Sequence, residues 1–403
     1  MEQLQGAPNN SSQDFRSDED EWQNSVIIIP VLLTAPTLLV VLVILWKSIR
    51  NRRKKIHCDS RTPAGEGYGE WAVNAAAVYE NTLGFPDTEL QRWELPDGWT
   101  IQDVVKICPG QFGRISGACL YEPGEPNVRH RVIIKELSEN CSPGEAQDFI
   151  DLIRFYSRVC NHDNLLKMYW CRTSLSPVCI ILKAMNLGNL LHFLWRSREG
   201  NLAAKDPLYN ITEKKVYSMA SQVASGLEYL AGAHNLLHAN VAAYNVVVHE
   251  DMSVQLCGLG MAAILHRTGS IPEGRAARVP MKWQAPERLA QGGITEKSDV
   301  WAFGILLYEM VTLGSPPYPD ITPTQLLPKL EKGHRMERPA QCSNGLYELM
   351  GSCWRRGPDD RPGFTEIVKW LNQHGDRADG LTALTAPDSI SQSDYLLLAG
   401  IPT

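Results

Sequence analysis

Two carboxamides and a glycine mark a polar site in the second half of the chain: Asn240 and Asn245 in "LLHANVAAYN", and Gly258 in "VQLCGLGMA". Asn240 can orient a hydroxyl by hydrogen bonding, but an amide cannot take up its proton at neutral pH. Asn245 offers a metal ion one neutral oxygen and Gly258 offers no side chain at all, a poor pairing for a hard cation that prefers carboxylate oxygens. Far upstream, Gly110 and Gly113 in "CPGQFGRIS" leave a turn free of Cβ atoms, so backbone N–H groups can close on a phosphate, and Phe112 between them can cap the turn. Lys135, at the end of "RVIIKEL", adds a cation that taken singly would be a solvated surface lysine.

The elements needed to bring them together can be read from pattern. "RVIIKEL" alternates as a half-buried strand should, and the glycine turn before it lies between two strand-like arms that carry Ile107 and Ile115. A helix is expected near Ala146 to Val159, and "VYSMASQVASGLEYL" sets Val216, Met219, Val223, Leu227 and Leu230 on one helical face, which is core. The length of 403 residues, 44% hydrophobic and 21% charged, suffices for one two-lobed domain with appendages. All ten cysteines fall at or after Cys58 without metal-ligand spacing, which fits reduced thiols in the cytosol, and at a net charge of -6 no nucleic-acid partner is expected.

The N-terminal part reads differently. Residues 1–25 carry six acids and one base, "KSIRNRRKK" at 47–55 carries six bases, and between them Val26 to Trp46 is uncharged and 21 residues long. That length matches the ~30 Å hydrocarbon layer, so a single transmembrane helix over 26–46 is expected, kinked by Pro30 and Pro36. The bases then place the N-terminus outside and the remainder in the cytosol, the plasma membrane being the expected location, with membrane lipid as one partner. Asn9 and Asn10 head overlapping glycosylation sequons on the outside, the alternative being an unmodified tail. Residues 47–92 read as a juxtamembrane linker, in which Tyr79 of "AVYENTLG" is a candidate docking point for a phosphotyrosine reader.

From Trp93 the chain resembles the protein tyrosine kinases. The cues are "RWELPDGW", the glycine turn, "RVIIKEL", "VCIILKAMNLGNLLHFL", "VPMKWQAPERL", "SDVWAFGILLYEMVTLGSPPYP" and "CWRRGPDDRPGF", in family order over roughly residues 93–375. The closest likeness is to short single-span members of that family. The resemblance implies an α+β class: a transmembrane helix followed by a two-lobed kinase-like domain, with residues 376–403 as a tail. It also implies ATP as the cofactor, held by Ile107, Gly110, Phe112, Gly113, Ile115 and Lys135, with Leu182 as gatekeeper and Lys183 to Met185 as the hinge facing the adenine. Asn240 then stands where the family keeps its catalytic Asp, Gly258 where it keeps the metal-binding Asp, and Asn245 at the second metal position, which makes Mg²⁺ doubtful. Leu152 stands where a helix Glu should meet Lys135, and Glu287 should pair with Arg361.

Two functions are therefore open. One is a membrane-anchored, tyrosine-kinase-like signalling protein that is a pseudokinase or strongly impaired kinase and acts as a scaffold in growth signalling. The other is an active, atypical tyrosine kinase. In the tail, Ser393-x-Tyr395-x-x-Leu398 has the form of a phosphotyrosine motif, so Tyr395 is expected to be phosphorylated by another kinase and to recruit a reader.

Overall fold

The structure, a computed structural model, describes residues 88–125, 128–198, 205–270, 279–386 and 389–401. Five strands form one antiparallel sheet in the order β1-β2-β3-β5-β4, with β1 Thr100–Pro109, β2 Arg114–Tyr121, β3 Arg129–Glu136, β4 Met168–Arg172 and β5 Cys179–Lys183. The β1–β2 hairpin carries the glycine turn at its tip, and register places Ile115 opposite Lys135 and Lys135 opposite Ile180. Helix α1, Pro143–Val159, starts where three local signals agree: Ser142 and Glu145 form a reciprocal capping box and Pro143 occupies the first turn. Its Phe149, Ile150, Leu152, Ile153 and Tyr156 are buried.

The second lobe is helical. Helix α2 is Leu190–Arg198, α3 is Glu213–His234, α4 is Gly260–Thr268 and α5 is Glu296–Val311, and a two-stranded hairpin pairs β6 Val246–Val248 with β7 Val254–Leu256. Helix α5 is apolar on every side and almost wholly buried, as expected of a helix at the centre of a lobe. Helices α6 Pro323–Glu331, α7 Asn344–Cys353 and α8 Phe364–Gly375 complete the packing, followed by α9 Gln392–Ala399. Arg361, fully buried, forks onto Glu287 through Nη1–Oε1 at 2.7 Å and Nη2–Oε2 at 2.8 Å while its guanidinium lies over Trp301. Bidentate geometry compensates for the desolvation of both charges.

Three expectations need correction. The fold class is corrected to that of the two-lobed kinase-like domain, since no helix among the described residues is long and apolar enough to cross a membrane. The stretch 26–46 lies outside the described residues, and the single-pass localisation drawn from it is not carried forward. The domain also begins before Trp93, because Leu90 is fully buried and Glu89 pairs with Arg158 of α1. Finally, residues 376–403 are not a free tail: Leu384 N–H donates to Ile211 O at 2.7 Å, and α9 carries a buried Tyr395.

Candidate functional site

The glycine turn closes on itself, with Gly110 N–H donating to Gly113 O at 2.6 Å, and Phe112 packs edge-on against Phe149 of α1 at 5.3 Å. Gly113 has no room for a side chain, since an added Cβ would stand 2.8 Å from Ser138 N. Below the turn lies a cavity of about 400 Å³ lined by Gly110, Phe112, Gly113, Ile115, Lys135, Asn240, Asn245 and Gly258. Residues spread over 148 positions of sequence thus meet around one hollow. Ile107 and Met185 do not line it: Ile107 is 57% exposed on β1, and Met185 borders a separate hollow with Val105, Gly117 and Ile133.

The backbone of the loop at His238 and Ala239 is held from beneath by Asp299 of α5, which accepts from the backbone N–H groups of His238 at 2.7 Å and Ala239 at 2.9 Å. Burial pushes the Asp299 carboxyl up to about 6 despite those donors. Ala239 sits at φ 62°, a left-handed conformation that costs energy for a residue with a Cβ, and Arg288 Nη1 donates to its carbonyl at 3.2 Å. His238, wholly buried, lies with Nε2 2.9 Å from Cys257 O, and burial lowers it to about 4, so it is neutral. The loop therefore keeps a defined shape although its acid is missing.

The two carboxamides are already engaged. Asn240 Oδ1 accepts from the Tyr244 hydroxyl at 2.6 Å, and Asn245 Nδ2 donates to Asn240 O at 2.8 Å. Gly258 adopts φ 78°, and a Cβ added there would lie 2.5 Å from Asn245 Cγ. The Asn245 carboxamide fills the space into which a side chain at 258 would project. The charged residues lining the cavity are Arg114, Lys135 and Glu136, and Glu136 is paired with Arg114 at 2.6 Å. Among the described residues no group of three acids, histidines or cysteines could hold a metal ion. Those donors do not suit Mg²⁺.

Lys135 has no carboxylate partner among the described residues. Leu152 lines the cavity where a carboxylate would have to stand, beside the buried Tyr156, whose hydroxyl has no hydrogen-bond partner among the described residues. Asp151, one residue away and so turned by about 100° on the helix, pairs with Arg154 at 2.9 Å and with Arg267 of α4 at 3.3 Å. Arg267 also binds Asp148, and His266 stands edge-on to Phe155. Helix α4 begins two residues after Gly258 and is thereby fastened along α1.

Pattern reading missed three residues of this region. Gln111 reaches down from the turn, so that a Cβ on Gly260 would lie 2.9 Å from its Oε1. Ile133 shares the face of β3 with Lys135 and borders the hinge-side hollow beside Met185, a placement the two-residue period of the strand contained. Tyr244 binds the very amide that sets the chemistry, and no local pattern signals that contact. Of the modification candidates, Asn9, Asn10 and Tyr79 lie outside the described residues. Tyr395 is 1% exposed with its hydroxyl 3.0 Å from Glu309 Oε1, so the expectation of a phosphate acceptor on an accessible tail is corrected: this hydroxyl is sealed.

Comparison with known proteins agrees with this geometry. The profile of the protein tyrosine and serine/threonine kinase family matches residues 101–371. Tyrosine-protein kinase STYK1 of Homo sapiens is 36% identical over 394 residues, 94% of this chain and 92% of that protein, and the Mus musculus protein of the same name is 33% identical over like shares. Fibroblast growth factor receptor homolog 1 of Drosophila melanogaster is 32% identical over 70% of this chain and 39% of its own length.

Proposed function

We propose, from the premise that this chain belongs to the protein tyrosine and serine/threonine kinase family, that it is a pseudokinase or strongly impaired kinase that signals by binding protein partners. The observation that carries this reading is the double loss at 240 and 258: an amide engaged by Tyr244 stands at the base position, and the Asn245 side chain fills the space beside Gly258. Loss of a general base alone typically costs about 10² to 10⁴ in rate, and phosphoryl transfer depends further on metal neutralisation of the phosphates. Fold by itself does not supply either.

Family membership implies an ATP site in general terms. In this chain the turn N–H groups and Lys135 suit phosphate, whereas Gln111 reaches across the phosphate space and Ile133 adds bulk at the hinge side. ATP, if bound, would be held by the turn and Lys135, and would supply only a filled cleft that stiffens the two lobes. The full chain, titrated with ATP and followed by thermal shift, should show the same small rise with and without Mg²⁺. A rise that requires Mg²⁺, together with label transfer to a poly-Glu/Tyr substrate free of co-purifying kinases, would instead establish the atypical active kinase.

A further inference from the structure

Helix α9, Gln392–Ala399, does not lie at random on the second lobe. Ser391 caps its N-terminus, accepting from Asp394 N–H at 3.1 Å, and Gly400, at φ 68°, ends it beside Pro323 at the start of α6. The helix is eight residues long, too short to persist alone, and it is buried through Tyr395 and Ala399 while Leu397 is 77% exposed. Tyr395 enters a pocket whose walls come from three separate segments. Trp195 of α2 stands edge-on at 5.0 Å, and Trp283, of the stretch that resembles a kinase substrate loop, lies at 6.4 Å. The floor is Glu309 of α5, wholly buried and in no ion pair among the described residues.

Glu309 has a definite demand for hydrogen-bond donors. One oxygen accepts from Ala243 N–H of the catalytic loop and from the Trp283 indole, both at 3.0 Å, and the other accepts from the Tyr395 hydroxyl, also at 3.0 Å. Without a phenol in the pocket one oxygen of a buried carboxylate loses its donor. A second polar grip lies at the far end: the buried Lys282 ammonium donates to Tyr318 O at 2.7 Å and to Leu398 O at 2.5 Å. The pocket thus reads one short pattern, a tyrosine with a small residue four positions later, from a helix that ends at once.

We propose that this pocket, formed by Trp195, Trp283, Glu309 and Lys282, is a docking site for a tyrosine-bearing helical peptide, and that residues 391–401 are its resident occupant. The tail covers the substrate-loop face, so a partner segment of the same pattern binds only after the tail leaves. The site selects unmodified tyrosine, because a phosphate would set about two negative charges against Glu309 in a sealed apolar space. Phosphorylation of Tyr395 during an opening would prevent its return. The inference holds whether or not any phosphate transfer survives at Asn240.

The test uses a fluorescent peptide of residues 389–403 against the full chain, wild type and Tyr395→Ala. The variant should bind the peptide at least about tenfold more tightly than wild type, since it loses an intramolecular competitor whose effective concentration is on the order of mM. The same peptide carrying phosphotyrosine should not bind. Equal binding of both peptides, or no binding by a variant that still melts cooperatively, overturns the proposal. Should Tyr395→Ala fail to fold, native-state amide exchange of the wild type decides: a latch exchanges at Tyr395 to Ala399 through a local opening well below global unfolding. Exchange of those amides only on global unfolding makes the tail a fixed part of the core and sinks the idea.

Discussion

The cleft beneath the glycine turn and the floor of the helical lobe hold opposite fates for acidic side chains. At the cleft, the positions where the family keeps acids are Asn240, Gly258 and Leu152, none of them able to carry charge. In the floor, Asp299, Glu309 and Glu287 are all present, and each is bonded to backbone or to a buried partner. The floor acids position loops and close the lobe, whereas the missing cleft acids would have touched metal, lysine or substrate. Shape and cleft chemistry can vary independently, because the two depend on different residues.

The comparison is tested most severely at the floor. Arg361→Ala should destabilise the domain by about 3–5 kcal/mol, because it leaves Glu287 part-buried without its bidentate partner. Denaturant unfolding that shifts by less than 1 kcal/mol would show that the floor pair is as dispensable as the cleft acids. Next, Gly258→Ala should cost about 1–3 kcal/mol, since a Cβ at positive φ is strained and Asn245 must move aside. Unchanged stability would mean that Asn245 does not fill that space.

A third measurement concerns pH. Burial raises the Glu309 carboxyl to about 7, and its donors from Trp283, Ala243 and Tyr395 oppose that only in part. A carboxyl whose folded pKa lies above its unfolded value binds more protons when folded, so its contribution to stability is greatest in acid and is lost as pH rises from about 4.5 to 7. Glu309→Gln removes that dependence. Relative to wild type, the variant should therefore gain on the order of 1–2 kcal/mol between pH 5 and 8. A melting-temperature difference that stays flat across this range would show that Glu309 is held ionised throughout.

The smallest effect is expected at the cleft. Asn240→Asp should change stability by less than about 0.5 kcal/mol, as the side chain is only part-buried and its partner Tyr244 can donate to a carboxylate equally well. Nor should this change alone restore turnover. Asn240→Asp with Gly258→Asp should raise the initial rate on poly-Glu/Tyr only partly, and Leu152→Glu should raise it again, more than additively. Wild-type turnover equal to that of the double variant would remove the basis for an impaired kinase.

Legibility followed the range of the forces concerned. The β3 alternation that placed Lys135 and the period of α3 are local patterns, and the fold followed from them together with the family order of motifs. The pairing of Glu287 with Arg361 was also legible, because the motifs carrying both are long. The tail was misjudged for an opposite reason. Its sequence has no strong period, and only a pocket assembled from distant segments gives Tyr395 somewhere to go.

The sequence by itself determined which groups this protein has: an amide at 240, no side chain at 258, a leucine at 152 and no tyrosine between Met261 and Gln284. Those facts limit proton transfer and metal binding whatever the fold does, because covalent identity fixes what a side chain can accept or donate. Tertiary structure alone decided how each group is engaged. It gave Asn240 to Tyr244, filled the space at Gly258 with Asn245, turned Asp151 toward Arg267 and drew Tyr395 onto Glu309. Such pairings depend on distance in space between residues up to 116 positions apart, and a buried polar group takes whichever partner packing brings within reach.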